Sequence, residues 1–439
     1  MVQAMTAFTD LIRAPRNIED LGLPPALLDD LVLRRALLDG RTSIQGLSQA
    51  LALSIGVTET LVVGLRDKKL IEFGGMVGRD YVITLTDAGR ALATERMQAC
   101  KYAGTAPIPL PHYTTVVRAQ RPKLQVSRAH MEAAFSDLVI DPYLLDELGP
   151  AMMSNGAIFL YGPPGTGKTS LAERMIRVYG DVVVVPRAVE VDGQIIAVFD
   201  PTVHVPVDVQ PVDLDKRWVL CRRPCVIGGG ELTANMLDLG FDEKSGIYLA
   251  PLQMKANNGM FVIDDFGRQT MTPAQLLNRW IVPLDRRIDY LSLNTGVKFE
   301  IPFDVKVVFS TNLEPAALGD EAFFRRIQSK VYIGPITEAA VGEILRRVAA
   351  ANGIECTPED AAYLRSLTRA KGDGDLRPYV PVMVCEILRS ICAYHGAPLA
   401  TSRENLDRVA EIYFTRLTEQ TYEAPEPSLP PNLTLAEAR

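Results

Sequence analysis

The chain has 439 residues, and 46 Lys and Arg against 53 Asp and Glu leave a formal net charge of −7. Ordinary globular usage, 47% hydrophobic and 23% charged, excludes a wholly disordered, collagenous or coiled-coil chain, and the acidic balance speaks against a basic nucleic-acid coat protein. No apolar run approaches the roughly 18 residues of a membrane span, Met1 to Arg16 lacks the core of a secretory signal, and six Cys are too few for a disulfide scaffold. The expectation is a soluble, cytoplasmic, multidomain chain.

Residues 1–20 read as an N-terminal arm. From 21 to 97 the pattern predicts a compact helical domain ending in a hairpin. Pro24 and Pro25 can open a helix, and Leu27, Leu28, Leu31, Val32 and Leu38 recur at helical spacing before Gly40 stops it. Further helices are predicted over Ser43–Leu51 and from Thr58. Leu70–Phe73 and Tyr81–Thr84 read as two strands, and Asp87 as the cap of a closing helix over 88–96. Three helices, a hairpin and a closing helix resemble a winged-helix domain. Such domains often bind DNA, but 21–97 holds nine acidic and nine basic residues. Phosphate neutralisation needs an excess of cations, so protein docking is the favoured use, although a local cluster at Arg66, Lys68 and Lys69 could touch a nucleic-acid backbone.

Residues 98–126, with Thr105-Ala-Pro-Ile-Pro-Leu-Pro111, read as a stiff, extended Pro-rich linker. Residues 127–334 carry the chemistry. Gly162-Pro163-Pro164-Gly165-Thr166-Gly167-Lys168-Thr169 matches G-x-x-x-x-G-K-[ST], between a predicted buried strand (157–161) and a helix from Ser170. Glycines let backbone N–H groups close around phosphates, and the helix N-terminus adds a favourable dipole. Lys168 would reach the β- and γ-phosphates, and Thr169 would give its hydroxyl to Mg²⁺. By chance such a match arises in roughly 1.5% of chains this long at ordinary residue frequencies.

The 96 residues from Lys168 to Asp264 exceed what a compact core needs. Glu190–Ile195 reads as a hairpin around Asp192-Gly193. Val203, Val205, Val207 and Val209 alternate as in a strand, and Gly228-Gly229-Gly230-Glu231 precedes a predicted helix over 232–239. Cys221 and Cys225 have neither a second pair nor a nearby His, so no zinc site is expected. Met260–Asp265 then supplies a strand ending in acid. Asp264 would hold Mg²⁺ through water, and Asp265 would polarise the attacking water. Asp289–Leu293 and Val297–Ile301 form a predicted hairpin around Asn294-Thr-Gly296. Val305–Asn312 is a last buried strand, whose Asn312 would orient the water.

Loop, acidic strand, Ser-Thr-Asn strand and Arg325-Arg326, in that order, resemble the AAA+ ATPases over roughly residues 127–420. The resemblance implies an α/β P-loop NTPase core, a helical lid over 335–420 and a ring of subunits, most simply a hexamer. It makes the phosphate loop Walker A, with Ser170 beside it, and Asp264-Asp265 Walker B. Asn312 takes the sensor 1 position and Arg377 the sensor 2 position. Arg326, or else Arg325, is the arginine finger that reaches a neighbour's nucleotide. The hairpin before Asn312 resembles the pre-sensor-1 hairpin branch, which includes the MoxR-like ATPases. Segments such as Asp265–Gln269 resemble a bacterial group described as ATPases with chaperone activity. The family usually has Asp-Glu where this chain has Asp264-Asp265, so its base is one methylene shorter. The implied activity is ATP hydrolysis that remodels a protein client. The alternatives are a DNA-directed motor or activator, and a slowly hydrolysing switch. The tail, 421–439, holds four Pro between Glu423 and Pro431 and reads as disordered.

Overall fold

A computed structural model describes residues 9–77, 80–122, 124–208, 214–315, 327–371 and 376–414. It divides into two units, residues 1–334 and 335–439. The first is organised by five parallel strands: β1 (Ile158–Tyr161), β2 (Cys225–Gly228), β3 (Met260–Ile263), β4 (Lys306–Thr311) and β5 (Ser329–Tyr332). Their spatial order is β2-β3-β4-β1-β5. Near-continuous apolar runs in β1, β3 and β4 suit strands covered on both faces, and alternation divides them between two cores. Phe159, Phe261, Ile263 and Phe309 face a cluster with Trp280, on the helix Pro273–Arg286. Ile158, Leu160, Val262 and Val308 face another with Leu148, Leu171 and Met175. Each such fully buried side chain contributes roughly 1.5–3 kcal/mol by leaving water.

The long stretch between the phosphate loop and β3 builds a second layer. Strands 240–242, 247–249, 194–197, 188–191 and 108–109 form a mixed sheet in that order. The Glu190–Ile195 hairpin turns as predicted, on Asp192 and Gly193 at φ 51° and 74°, both in the left-handed region that a two-residue turn demands. The hairpin Ile288–Ser292/Lys298–Pro302 also forms in register. Its Leu291, Leu293, Phe299 and Ile301 are buried in the same core as Val189 and Ile196.

Three expectations for this region need correction. The stretch 98–126 is not a free extended linker: Ile108–Pro109 joins the mixed sheet, and Leu110–Ala119 is a helix that buries Tyr113, Val116 and Val117. Edge strands and first helical turns both tolerate Pro, which explains the Pro run. Residues 232–239 form no α-helix, only a 3-10 turn at Ala234–Leu237. Val203–Val207 is no strand either, making an isolated bridge at Pro206 to Cys221; Val209 lies outside the described residues.

Before this layer, helices Pro25–Asp39, Ile44–Leu51 and Ile55–Asp67 lead into strands Ile71–Val77 and Asp80–Leu85 and helix Asp87–Ala99. The side chains of Ser43, Ser54 and Thr86 accept from backbone N–H groups in the first turns of their helices. Asp87 is therefore not the cap but the first helical residue, where its charge meets the positive end of the dipole. Leu28, Leu47 and Val62 share their core with Ala106, Ala188 and Ile195. This domain thus packs directly on the mixed sheet.

The second unit is helical. Glu338–Ala351, Pro358–Lys371, Tyr379–His395 and Arg403–Tyr413 surround Leu345, Leu364, Val384, Leu388 and Leu406. Arg325, Arg326, the first eight residues and the tail 421–439 lie outside the described residues. No single helix among those described is long and apolar enough to cross a membrane.

Candidate nucleotide-binding site

Parallel strands place their C-terminal ends on one edge, and in open α/β sheets that edge is where ligands bind. The chain uses it three times. The phosphate loop follows β1, Asp264 and Asp265 follow β3, and Asn312 follows β4.

The loop runs into helix Lys168–Met175 with Gly162, Gly165 and Gly167 at φ 144°, 76° and 90°. Gly162 also lies so close to the backbone just after β5 that a Cβ there would stand 2.2 Å from the Ile333 carbonyl oxygen. Pro163 and Pro164 follow Gly162 in the loop, Thr166 donates from its hydroxyl to the Pro163 carbonyl at 3.0 Å, and the Ser170 carbonyl accepts from Arg174. Lys168 is buried, and its ammonium donates to the carbonyls of Gly162 and Pro163 at 3.0 and 2.7 Å. The lysine is therefore held inside the curve of the loop.

Across the groove, the Thr169 hydroxyl donates to Asp264 Oδ2 at 2.7 Å. One hydroxyl and one carboxylate side by side are the oxygen donors a hard divalent cation takes alongside phosphate. The residues present fit Mg²⁺·ATP: a glycine-built cradle, an enclosed ammonium and an oxygen pair at its mouth.

Asp265 is the unusual residue. Its φ is 47°, in the left-handed region that a non-glycine residue enters at a cost of about 1–3 kcal/mol. Consecutive residues of an extended strand point to opposite faces. Here Asp264 meets Thr169 while Asp265 Oδ1 accepts from Asn312 Nδ2 at 3.4 Å, so the twist in the chain turns both carboxylates toward the groove.

Two residues to which the sequence assigned no role hold this twist. Gln269 Nε2 donates to the Asp264 carbonyl at 2.7 Å, and its Oε1 accepts from Gly267 N at 2.8 Å. The buried Thr311 hydroxyl donates to the Phe266 carbonyl at 2.6 Å and accepts from Leu313 N at 3.0 Å. Phe266 N donates to the Ser310 carbonyl at 2.7 Å. The only sequence signals were a Gln four positions past the acid and a Thr beside Asn312.

The structure thus brings Gly162–Ser170, Asp264, Asp265 and Asn312 to one edge. Arg377 lies in the second unit, half-buried, just before helix Tyr379–His395, where its carbonyl accepts from Val380 N at 3.2 Å. Arg325 and Arg326 fall outside the described residues.

A model of a domain of unknown function, DUF8689, matches residues 337–412. No curated protein matches the chain. Among solved structures, a RuvB point mutant of Thermotoga maritima aligns at 14% identity over 67% of this chain and 73% of that one, with a TM-score of 0.39. The RuvB Holliday junction branch migration motor of the same organism gives 15%, 67%, 72% and 0.35. NtrX from Brucella abortus in complex with ADP gives 14%, 65%, 57% and 0.34. The strand order and the loop after β1 make the first unit an α/β P-loop NTPase core, followed by a helical C-terminal unit.

Proposed function

We propose that the chain is an AAA+ ATPase that works as a homo-oligomeric ring, most simply a hexamer, and remodels a protein client in the cytoplasm. The observation that carries the reading is the pairing across the groove: Thr169 with Asp264, and Asn312 with Asp265. A strand carrying a polar amide between the phosphate-loop strand and the acidic strand is the arrangement this family uses for hydrolysis.

In this reading Gly162–Ser170 cradle the phosphates of ATP, with Lys168 opposing their charge. Bound Mg²⁺, held by Thr169 and Asp264, would neutralise charge on the β- and γ-phosphates. Asp265 takes a proton from the attacking water while the water oxygen bonds to the γ-phosphorus, and the bond from that phosphorus to the bridging oxygen breaks, releasing ADP. Asn312 orients that water. Arg326 of a neighbouring subunit, or Arg325, stabilises the charge spread over the transferred group, and Arg377 links nucleotide state to the helical lid. The winged-helix-like domain over 21–97 recruits the client. Arg66 and Lys68 there are each paired with a carboxylate of the same domain, Asp67 and Asp29, which favours a protein client over a phosphate backbone.

The test is ATPase turnover of the full chain beside Asp265→Asn, with and without duplex DNA. Turnover that falls at least about a hundredfold in the variant and ignores DNA is the expected result. Strong stimulation by DNA that fades steeply with salt would replace this reading by a DNA-directed motor. Tight ATP binding with no turnover in either protein would replace it by a nucleotide switch.

A further inference from the structure

We infer that Gln269 and Thr311 are positioning residues that hold Asp265 in its left-handed conformation, and that this backbone is built for an aspartate rather than a glutamate. The inference rests on the assignment of Asp265 as the base.

Asp265 lies at φ 47°, and a residue persists there only when its surroundings over-determine it. Restraints act on both sides of it. The residue before it is gripped by Gln269 Nε2 through the Asp264 carbonyl. The residue after it is gripped twice: Phe266 N donates to Ser310, and the Phe266 carbonyl accepts from Thr311. Asp265's own carbonyl accepts from Arg268 N at 2.9 Å. The same Gln269 ties down Gly267 N, so one side chain spans the turn on both sides of the acid. Thr311 then links the acid to the amide, since its hydroxyl also accepts from Leu313 N and so brackets Asn312.

This accounts for the shorter acid. Aspartate is among the residues that tolerate the left-handed region. The turn also brings the Asp265 carboxylate to Asn312 without the extra methylene of a glutamate. A glutamate on this backbone would carry its carboxylate past that position. The short side chain and the twisted backbone are one adaptation, and Gln269 and Thr311 maintain it.

The experiment measures kcat and KM for ATP, and the Kd of a fluorescent ADP analogue, on full-length Asp265→Asn, Asp265→Glu, Gln269→Glu, Thr311→Val and Thr311→Ser. Gln269→Glu is isosteric and replaces the donor to Asp264 with a charged acceptor; Thr311→Val exchanges the hydroxyl for a methyl group and tests the restraint with no added charge; Thr311→Ser restores the hydroxyl. The expected result is a kcat lower by about tenfold or more in Asp265→Glu, Gln269→Glu and Thr311→Val. The ADP-analogue Kd stays within about twofold, and turnover recovers in Thr311→Ser. A variant that loses nucleotide binding together with kcat points to a general structural role and overturns the proposal. So does Asp265→Glu turning over as fast as the wild type. If Asp265→Asn is inactive while Gln269→Glu and Thr311→Val keep wild-type kcat, the positioning role alone fails. If Asp265→Asn itself retains turnover, the base assignment fails and takes the proposal with it.

Discussion

A methyl group at position 162 would meet the Ile333 carbonyl oxygen at 2.2 Å, on a backbone whose φ of 144° already disfavours any L side chain. Strain and collision act on the same residue, and the colliding atom is backbone, which cannot rotate away. Gly162→Ala should therefore lower stability by roughly 2–4 kcal/mol and weaken ATP binding, since the cradle must open to relieve the contact. Thermal denaturation and nucleotide titration of the purified variant check both. At this scale the motif residues were legible because their spacing is dictated by phosphate geometry. Gln269 and Thr311 were not, because each acts through main-chain atoms of another segment, which no local pattern records. The φ of Asp265 was equally hidden: Asp at a strand end is compatible with many turns.

Elements show what happens when a charged side chain is enclosed. Lys306 opens β4, is buried, and donates to the carbonyls of Ala151, Ser154 and Gly156 at 2.6, 2.8 and 2.9 Å. It thereby satisfies the end of helix Pro142–Met153, whose last carbonyls have no partners within the helix. Burial, helped by the charge of Arg287, pushes its ammonium down to about 7 from 10.5. A lysine depressed in this way binds fewer protons folded than unfolded between those two values, so stability rises with pH across that window and is flat below it. The unfolding midpoint in urea should climb between about pH 7.5 and about pH 9.5, and Lys306→Met should lose that climb. Elements with strong local signals were legible in the sequence: the Asp192-Gly193 hairpin, the hairpin at 288–302, and the apolar strands. The stretch 98–126 was misread because the feature that decided it is remote. Pro107, Pro109 and Pro111 look like punctuation, but Ile108 and Ala106 are fully buried, Ile108 in register with Val189 and Ala106 in one core with Leu47, Ala188 and Ile195.

At the scale of the whole molecule, the helical domain near the N-terminus, the mixed sheet and the hairpin at 288–302 share apolar cores, so none of them is an appendage. Charge balance described the N-terminal domain as neutral without revealing that one of its faces is already covered. If Arg326 completes a neighbour's site, catalysis is a property of the assembly. Mixing Arg326→Ala with Lys168→Ala subunits, each inactive alone, should then restore turnover, because a site with an intact phosphate loop meets an intact finger from its neighbour, and specific activity should rise with protein concentration. A mixture that stays inactive would mean that each subunit works alone. The order β2-β3-β4-β1-β5 has a consequence for how the protein is made. The strand that carries the phosphate loop lies between β4 and β5, the last two strands of the sheet to be synthesised. The helical domain and much of the mixed sheet can collapse while translation continues, since most of their partners have already left the ribosome. The nucleotide pocket cannot, because β1 has no neighbour on either side until residues beyond 306 emerge. Long-range parallel pairing of this kind forms slowly. The nascent chain therefore carries an unpaired, largely apolar strand through the synthesis of some 150 residues, about 8–30 s at ordinary elongation rates, an interval in which a chaperone that shields such strands would have its greatest effect on yield.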